Sequence, residues 1–175
     1  GRVRGEIVLV PAANPVGLQQ SLGGTPLGRF DLASGENFNR HYANLTDNVA
    51  GAVQGQLGPD ARANVAHVRA ALREAVAALP AASTLDSLRR VLLGLAVDAD
   101  FVIDLHSDSE AVLHLYTSPV CWPALQPLAR CLGVQAVLLA ERSGGDPFDE
   151  ACSMLWPALA QRLGPELPLP QACVA

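Results

Sequence analysis

Hydrophobic positions along the chain fall into two patterns, short apolar runs and stripes spaced three or four residues apart. The short runs are typical of buried strands and cover residues 6–11, 101–103, 112–116 and 135–140. The stripes predict amphipathic helices over residues 60–79, from residue 83 onward, and over residues 119–132 and 149–163. Strands that alternate with helices predict an α/β layered fold.

Local signals mark several ends of these elements. Pro80 closes the first helix, and Ser83 with Asp86 forms a capping box that begins the second. Gly133 stops the third helix, and Pro157 divides the last helical stretch into two pieces because proline fits the first turn of a new helix. Residues 18–48 carry little periodicity and predict a long loop, ordered by its aromatic residues.

Composition limits the kind of protein. The 175 residues suit a single domain over 1–175, with 50% hydrophobic and 17% charged residues, a globular composition. The formal net charge of −5 and the lack of basic clusters argue against nucleic acid or an anionic membrane as a partner.

Cysteine usage and the first residues bear on the compartment. The cysteines form no CxxC pair and no metal-ligand spacing, so they are interpreted as reduced thiols of a cytoplasmic protein. They are Cys121, Cys131, Cys152 and Cys173. The apolar stretch that ends at Pro11 is too short for a secretory or membrane-spanning segment, and a strand is expected there.

The first candidate for chemistry is His106, which follows the apolar run at 101–103. Strand ends in α/β sheets border the crevices where ligands bind. Asp104 lies two residues earlier and either orients the imidazole or caps a neighbouring helix. The alternative is that His106 is only a hydrogen-bonded structural residue. His67 is interpreted as surface and His114 as a residue of the sheet.

The second candidate is a set of polar side chains in the loop, Arg29, Asn39 and Arg40. A guanidinium clamps a carboxylate with two parallel hydrogen bonds, and an adjacent amide can complete the recognition. In an acidic protein these residues suggest binding of an anionic substrate. The alternative is surface pairing of the arginines with nearby carboxylates, namely those of Asp31, Glu36 or Asp47.

Three motifs in a fixed order carry a family resemblance. They are Asn14-Pro15-Val16-Gly17, similar to an Asn-Pro-Asp-Gly turn, then Asn37-Phe38-Asn39-Arg40, similar to Asp-x-Asn-Arg, and finally Asp104-Leu105-His106. In these motifs the chain, up to about residue 116, resembles the zinc-dependent succinylglutamate desuccinylase and aspartoacylase family, which is related to the zinc carboxypeptidases. The resemblance implies a zinc carboxypeptidase-like fold with a layered mixed β-sheet flanked by helices.

The resemblance also implies roles for individual residues. His106 corresponds to the third zinc ligand, and Asn39 with Arg40 to the pair that holds the substrate carboxylate. Arg29 lies roughly where the family has a further arginine that polarises the scissile carbonyl or binds substrate. Asn37 replaces the usual aspartate, and the lost charge is expected to loosen Arg40 or to alter substrate choice.

The expected function is that of a zinc-dependent deacylase that cleaves the amide bond of an N-acyl amino acid or similar small carboxylate. The family's His-x-x-Glu motif and its catalytic glutamate have no counterpart here, so the chain is expected to be the central part of a longer enzyme. By itself it is expected to be inactive, to bind zinc weakly or not at all, and to form a homodimer through exposed sheet edges. Two alternatives remain, a metal-independent α/β domain that binds a small anion and a purely structural subdomain.

Overall fold

The computed structural model describes residues 4–107, 110–169 and 173–174. The chain divides into two compact units, Gly1–Phe38 and Asn39–Ala175. The first unit contains a one-turn helix, α1 (Pro15–Leu18), and an antiparallel hairpin of β1 (Ser21–Leu22) and β2 (Thr25–Pro26). A glycine pair with positive φ joins the two strands of the hairpin, a backbone conformation that glycine adopts without steric cost.

The strand predicted over residues 6–11 is not formed. Ile7, Val8 and Leu9 are 73%, 61% and 77% exposed, and no strand is assigned to this segment. A β-strand needs a neighbour for its backbone N–H and C=O groups, and the described part of the chain offers none here. The prediction of a strand from this apolar run was therefore wrong.

Helices dominate the second unit. They are α2 (Thr46–Val53), α3 (Ala61–Ala77), α4 (Thr84–Ala96), α5 (Trp122–Leu132), α6 (Phe148–Ser153) and α7 (Leu155–Leu163). The helices predicted from residues 60 and 83 are confirmed as α3 and α4, and the capping box of Ser83 and Asp86 is present. Helix α2 begins inside the predicted loop. The sequence did not indicate this helix, because Asp47 and Gly51 interrupt its apolar pattern.

The remaining helix boundaries also agree with the sequence. Gly133 follows α5 with φ +71, the left-handed conformation that ends many helices. The last helical stretch breaks at Met154, and Pro157 lies in the first turn of α7, where a missing N–H costs little. No helix among the described residues has the length and apolar character needed to cross a bilayer.

The strands of the second unit form two separate parallel pairs. The strand β3 (Phe101–Val102) pairs with β6 (Cys173–Val174), and β4 (His114–Thr117) pairs with β5 (Ala136–Leu139). Helix α5 connects β4 to β5, the crossover that parallel strands require. The strands predicted near residues 112–116 and 135–140 are therefore confirmed within two residues.

The continuous layered sheet expected from the sequence is not found among the described strands, which form three two-stranded sheets. The run at 101–103 is also less buried than expected, since Phe101 is 60% and Ile103 is 51% exposed. Alternation of strands and helices predicts the class of fold, but it does not determine which strands pair. The fold is a mixed one, in which helices accompany small sheets.

The core of the second unit is helical. Its centre consists of Val49 of α2, Val68 of α3 and Leu159 of α7, each 0% exposed. Tyr42 and Trp156, both 5% exposed, extend this cluster. Burial of these side chains fixes the segment that follows Arg40 against the helices.

Candidate functional site

The Asn39–Arg40 segment is attached to the start of α6. The Oδ1 atom of Asn39 accepts a hydrogen bond from the backbone N–H of Phe148, with a distance of 2.9 Å. Phe148 is the first residue of α6, and the preceding residue, Pro147, provides no side-chain cap. Asn39 therefore caps this helix from a distant part of the sequence. The rings of Tyr42 and Phe148 pack with centroids 5.3 Å apart and strengthen the attachment.

Two backbone hydrogen bonds continue the attachment. The N–H of His41 donates to the carbonyl of Gly145, and the N–H of Tyr42 donates to the carbonyl of Asp146, both with distances of 2.9 Å. His41 and Asp146 adopt positive φ angles of 60° and 48°. Such angles are uncommon outside glycine and cluster at functional sites. The two loops are thus joined at a locally strained point.

Arg40 lies half-buried between these attachment points. Its Nη1 atom donates to the carbonyl of Asn39, with a distance of 2.6 Å. Among the residues that the structure describes, neither Arg40 nor Arg29 forms an ion pair, so the surface pairing considered as an alternative is not found there. A partly buried guanidinium without a carboxylate partner favours binding of an external anion.

Arg29 belongs to the first unit. Its side chain is exposed, and its guanidinium carbon lies 5.9 Å from the centroid of the Phe30 ring. Its carbonyl accepts from the N–H of Phe38, with a distance of 3.1 Å. The residue is thus held by its backbone.

The Asn14-Pro15-Val16-Gly17 turn anchors the chain just before Arg29. The side chain of Asn14 accepts from the N–H of Gly17 at 2.8 Å and donates to the carbonyl of Gly28 at 2.9 Å. A Cβ atom on Gly17 would lie 2.4 Å from both Asn14 Nδ2 and the carbonyl oxygen of Gly28. The motif therefore requires both its asparagine and its glycine for a close backbone approach.

His106 is oriented by a carboxylate, as one of the two sequence hypotheses for Asp104 predicts. The Nε2 atom of His106 lies 2.8 Å from Oδ2 of Asp104, and the two side chains are 61% and 24% exposed. A carboxylate that accepts from one ring nitrogen places the lone pair on the other, which is the form of histidine that binds metals. The pair therefore has the chemistry of an oriented metal ligand.

His67 and His114, the two other histidines discussed above, lie where the sequence predicts them. His67 is exposed on α3, as expected. His114 lies in β4, and its Nδ1 is 2.9 Å from the carbonyl oxygen of Val112. Its ring meets that of Tyr116 edge-on, with centroids 5.5 Å apart. His114 is therefore a sheet residue, as the sequence pattern indicates.

A complete zinc site is not present in the described part of the chain. Catalytic zinc takes three protein ligands and leaves a fourth position for water. No group of three or more His, Cys, Asp or Glu residues capable of holding a metal occurs among the described residues. The described residues supply one candidate zinc ligand, His106, and by themselves they cannot hold the ion.

The charge of Asp104 helps to raise the pKa values of three neighbouring groups. Burial, followed by the charges of Asp149 and Asp104, raises the pKa of the Cys152 thiol to about 12. Burial also raises the pKa of Tyr42 and the pKa of Asp149 above their ordinary values. Cys152 and Tyr42 are consequently neutral at pH 7 and act as packing groups.

The sequence indicates a Gly-Gly loop at residues 143–147, but it gave this loop no role in the site. Its signal was the adjacent pair Gly144-Gly145 followed by Asp146, since consecutive positive φ angles suit a chain that approaches another backbone closely. No pattern in the sequence indicates that this loop faces Asn39 and Arg40.

No protein-family model and no curated protein matches the sequence. Solved structures do match it. One is a protein from Shewanella amazonensis SB2B provisionally assigned to the succinylglutamate desuccinylase / aspartoacylase family, with 30% identity and a TM-score of 0.71. The match covers 93% of this chain and 46% of that one.

A second solved structure is similar to the same extent. It is a provisionally assigned succinylglutamate desuccinylase/aspartoacylase from Shewanella frigidimarina NCIMB 400, with 27% identity and a TM-score of 0.72, and the match covers 93% of this chain and 45% of that one. The chain thus spans about half the length of these relatives. The resemblance predicted from the three motifs is confirmed, and the chain has its structural relatives in the succinylglutamate desuccinylase/aspartoacylase family.

Proposed function

We propose that the chain supplies the carboxylate-binding part of a zinc-dependent deacylase, which cleaves the amide bond of an N-acyl amino acid or a similar small carboxylate. Arg40 carries the proposal, because it is half-buried, held by its neighbours and without an ion pair in the described residues. The family names of the similar structures support the reaction class. The zinc carboxypeptidase-like layering of the sheet belongs to the same proposal.

Arg40 and Asn39 would act together on the substrate. The planar guanidinium can donate two parallel hydrogen bonds to one carboxylate. Because Oδ1 of Asn39 accepts from Phe148, the amide NH₂ group is turned away from that N–H and has the donor chemistry that a carboxylate requires. Arg29, which belongs to the first unit, stays a predicted substrate-binding residue.

His106 is the proposed metal ligand of this chain. Asp104 holds the imidazole in a defined orientation, which supports the assignment. Since the described residues do not complete a ligand set, zinc dependence and hydrolysis are proposed for the longer protein and not for this chain by itself.

The carboxylate-binding proposal can be tested by NMR titration with N-acetylglycine, the smallest N-acyl amino acid, and with its neutral amide as the ligand control. We expect Arg40→Ala to weaken N-acetylglycine binding about tenfold or more, the effect of losing charge-assisted hydrogen bonds. Arg162→Ala is the matched control, since that arginine is 64% exposed and pairs with Asp47. Equal affinity in wild type and Arg40→Ala would contradict the proposal.

A second proposed function is a metal-independent module that binds small anions, for which the half-buried Arg40 is the supporting observation. It predicts that N-acetylglycine binding survives a chelator and is unchanged in His106→Ala. If added zinc strengthens binding in wild type and not in His106→Ala, the deacylase proposal is favoured.

Self-association is also proposed. Phe101, Ile103 and Leu105 are 60%, 51% and 84% exposed, and apolar side chains beside a strand edge favour pairing with a second copy. Light scattering coupled to gel filtration tests this, and a mass of one chain at high concentration would exclude a homodimer.

A further inference from the structure

Arg40 crosses directly over a glycine of the 143–148 loop. A Cβ atom on Gly145 would lie 2.8 Å from Cδ and 3.2 Å from Nε of Arg40. Contacts below 3.0 Å require one of the two groups to move. The present course of the Arg40 side chain thus depends on the absence of a side chain at position 145.

Gly145 is fixed relative to the backbone that carries Arg40. Its carbonyl accepts from the N–H of His41, the residue next to Arg40. Gly145 has φ +77, so an L-residue there would also be strained. The His41–Gly145 hydrogen bond therefore sets the separation between the backbone of Gly145 and the backbone that carries Arg40.

The other end of the loop is fixed to α6. The hydroxyl of Ser143 donates to Oε1 of Glu150 at 2.7 Å, and the backbone N–H of Ser143 donates to the same oxygen. These contacts hold the start of the loop on α6, and the Asn39–Phe148 bond attaches the segment that carries Arg40 to the same helix. The surface beneath Arg40 is consequently built from defined hydrogen bonds and not only from packing.

We propose that Gly145 is a positioning residue for Arg40. Because Gly145 has no side chain, the Arg40 side chain can lie across its backbone, and from there the guanidinium meets the substrate carboxylate. This inference rests on the proposed function. Gly145 acts only through Arg40 and need not touch the substrate. The 143–148 loop thereby affects carboxylate binding through Arg40.

The chain offers a matched pair of variants. Gly144 and Gly145 both have positive φ, of 89° and 77°, so alanine carries a similar backbone strain at either position. A Cβ on Gly144 meets nothing within 4 Å, whereas one on Gly145 meets Arg40. We expect Gly145→Ala to weaken N-acetylglycine binding about tenfold relative to Gly144→Ala, the scale of one lost charge-assisted hydrogen bond.

A double-substitution cycle separates positioning from general damage. In an Arg40→Ala background, Gly145→Ala should have no further effect on affinity. A further loss in that background, or equal affinities of Gly145→Ala and Gly144→Ala, would overturn the role of Gly145. If Arg40→Ala itself leaves affinity unchanged, the proposed function fails instead.

A measurement on the unaltered chain keeps the inference testable if Gly145→Ala does not fold. The ¹H–¹⁵N heteronuclear NOE of the Arg40 Nε–H group should be close to that of the rigid backbone, in contrast to the exposed Arg162. An Arg40 Nε–H as mobile as that of Arg162 would overturn the inference.

Discussion

Replacement of Asn39 separates its structural role from its proposed binding role. In Asn39→Ala, the N–H of Phe148 loses the oxygen that lies 2.9 Å away, and α6 loses its cap. Loss of an N-cap typically costs about 1 kcal/mol, and a partly buried unsatisfied N–H costs about 1–3 kcal/mol. Because the site is half-buried, we expect the free energy of unfolding to fall by about 1–2 kcal/mol, with a melting temperature lower by about 2–8 °C.

Asn39→Asp provides the control. A carboxylate keeps an acceptor for the N–H of Phe148 and is favourable at the start of a helix, so we expect stability within about 0.5 kcal/mol of wild type. The same variant should lose affinity for N-acetylglycine, because a carboxylate repels the ligand and lacks the NH₂ donor.

Urea unfolding followed by circular dichroism measures the first effect, and NMR titration measures the second. The capping role of Asn39 would be refuted if Asn39→Ala unfolded at the urea concentration of wild type. It would also be refuted if Asn39→Asp were as unstable as Asn39→Ala, since the retained oxygen would then be irrelevant.

Three further predictions concern other parts of the chain. Gly17→Ala should accelerate tryptic cleavage within residues 1–38 and Gly28→Ala should not, because a Cβ at residue 28 lies 3.5 Å or more from its neighbours; equal cleavage would contradict the turn. Ser83→Ala should lower the unfolding free energy by about 1 kcal/mol, and an unchanged urea midpoint would exclude its capping role. Since the native pKa of Cys152 is raised from its ordinary value of 9.0 to about 12, the unfolded state releases that proton first, so stability should fall as pH rises above 9. Cys152→Ser should flatten this alkaline decline, whereas an identical decline would assign it to other groups.

The helices were predictable because their signals are local. The start of α4 follows from Ser83 and Asp86, which lie three residues apart, and the end of α5 follows from Gly133. Strand pairing was not predictable, because β3 pairs with residues 173–174 and no local pattern specifies that partner. The apolar run at 6–11 likewise does not specify whether a partner strand is present.

The sequence indicates the family and a set of candidate residues, which stay predictions, but it does not indicate the contacts that hold those residues in place. Motif order indicated Arg29, Asn39, Arg40 and His106 and the family in which the structural relatives lie. The bond that holds Asn39 joins residues 109 positions apart, and the glycine beneath Arg40, Gly145, is also far from it in sequence. Such contacts depend on tertiary packing, and a single sequence carries no record of them.

The most direct test of His106 as a metal ligand is a calorimetric zinc titration of wild type, His106→Ala and His67→Ala. Because the described residues bring no third ligand together, we expect weak zinc binding that His106→Ala abolishes and the exposed His67→Ala leaves unchanged. Zinc binding that is identical in wild type and His106→Ala would contradict the assignment of His106 as the metal ligand.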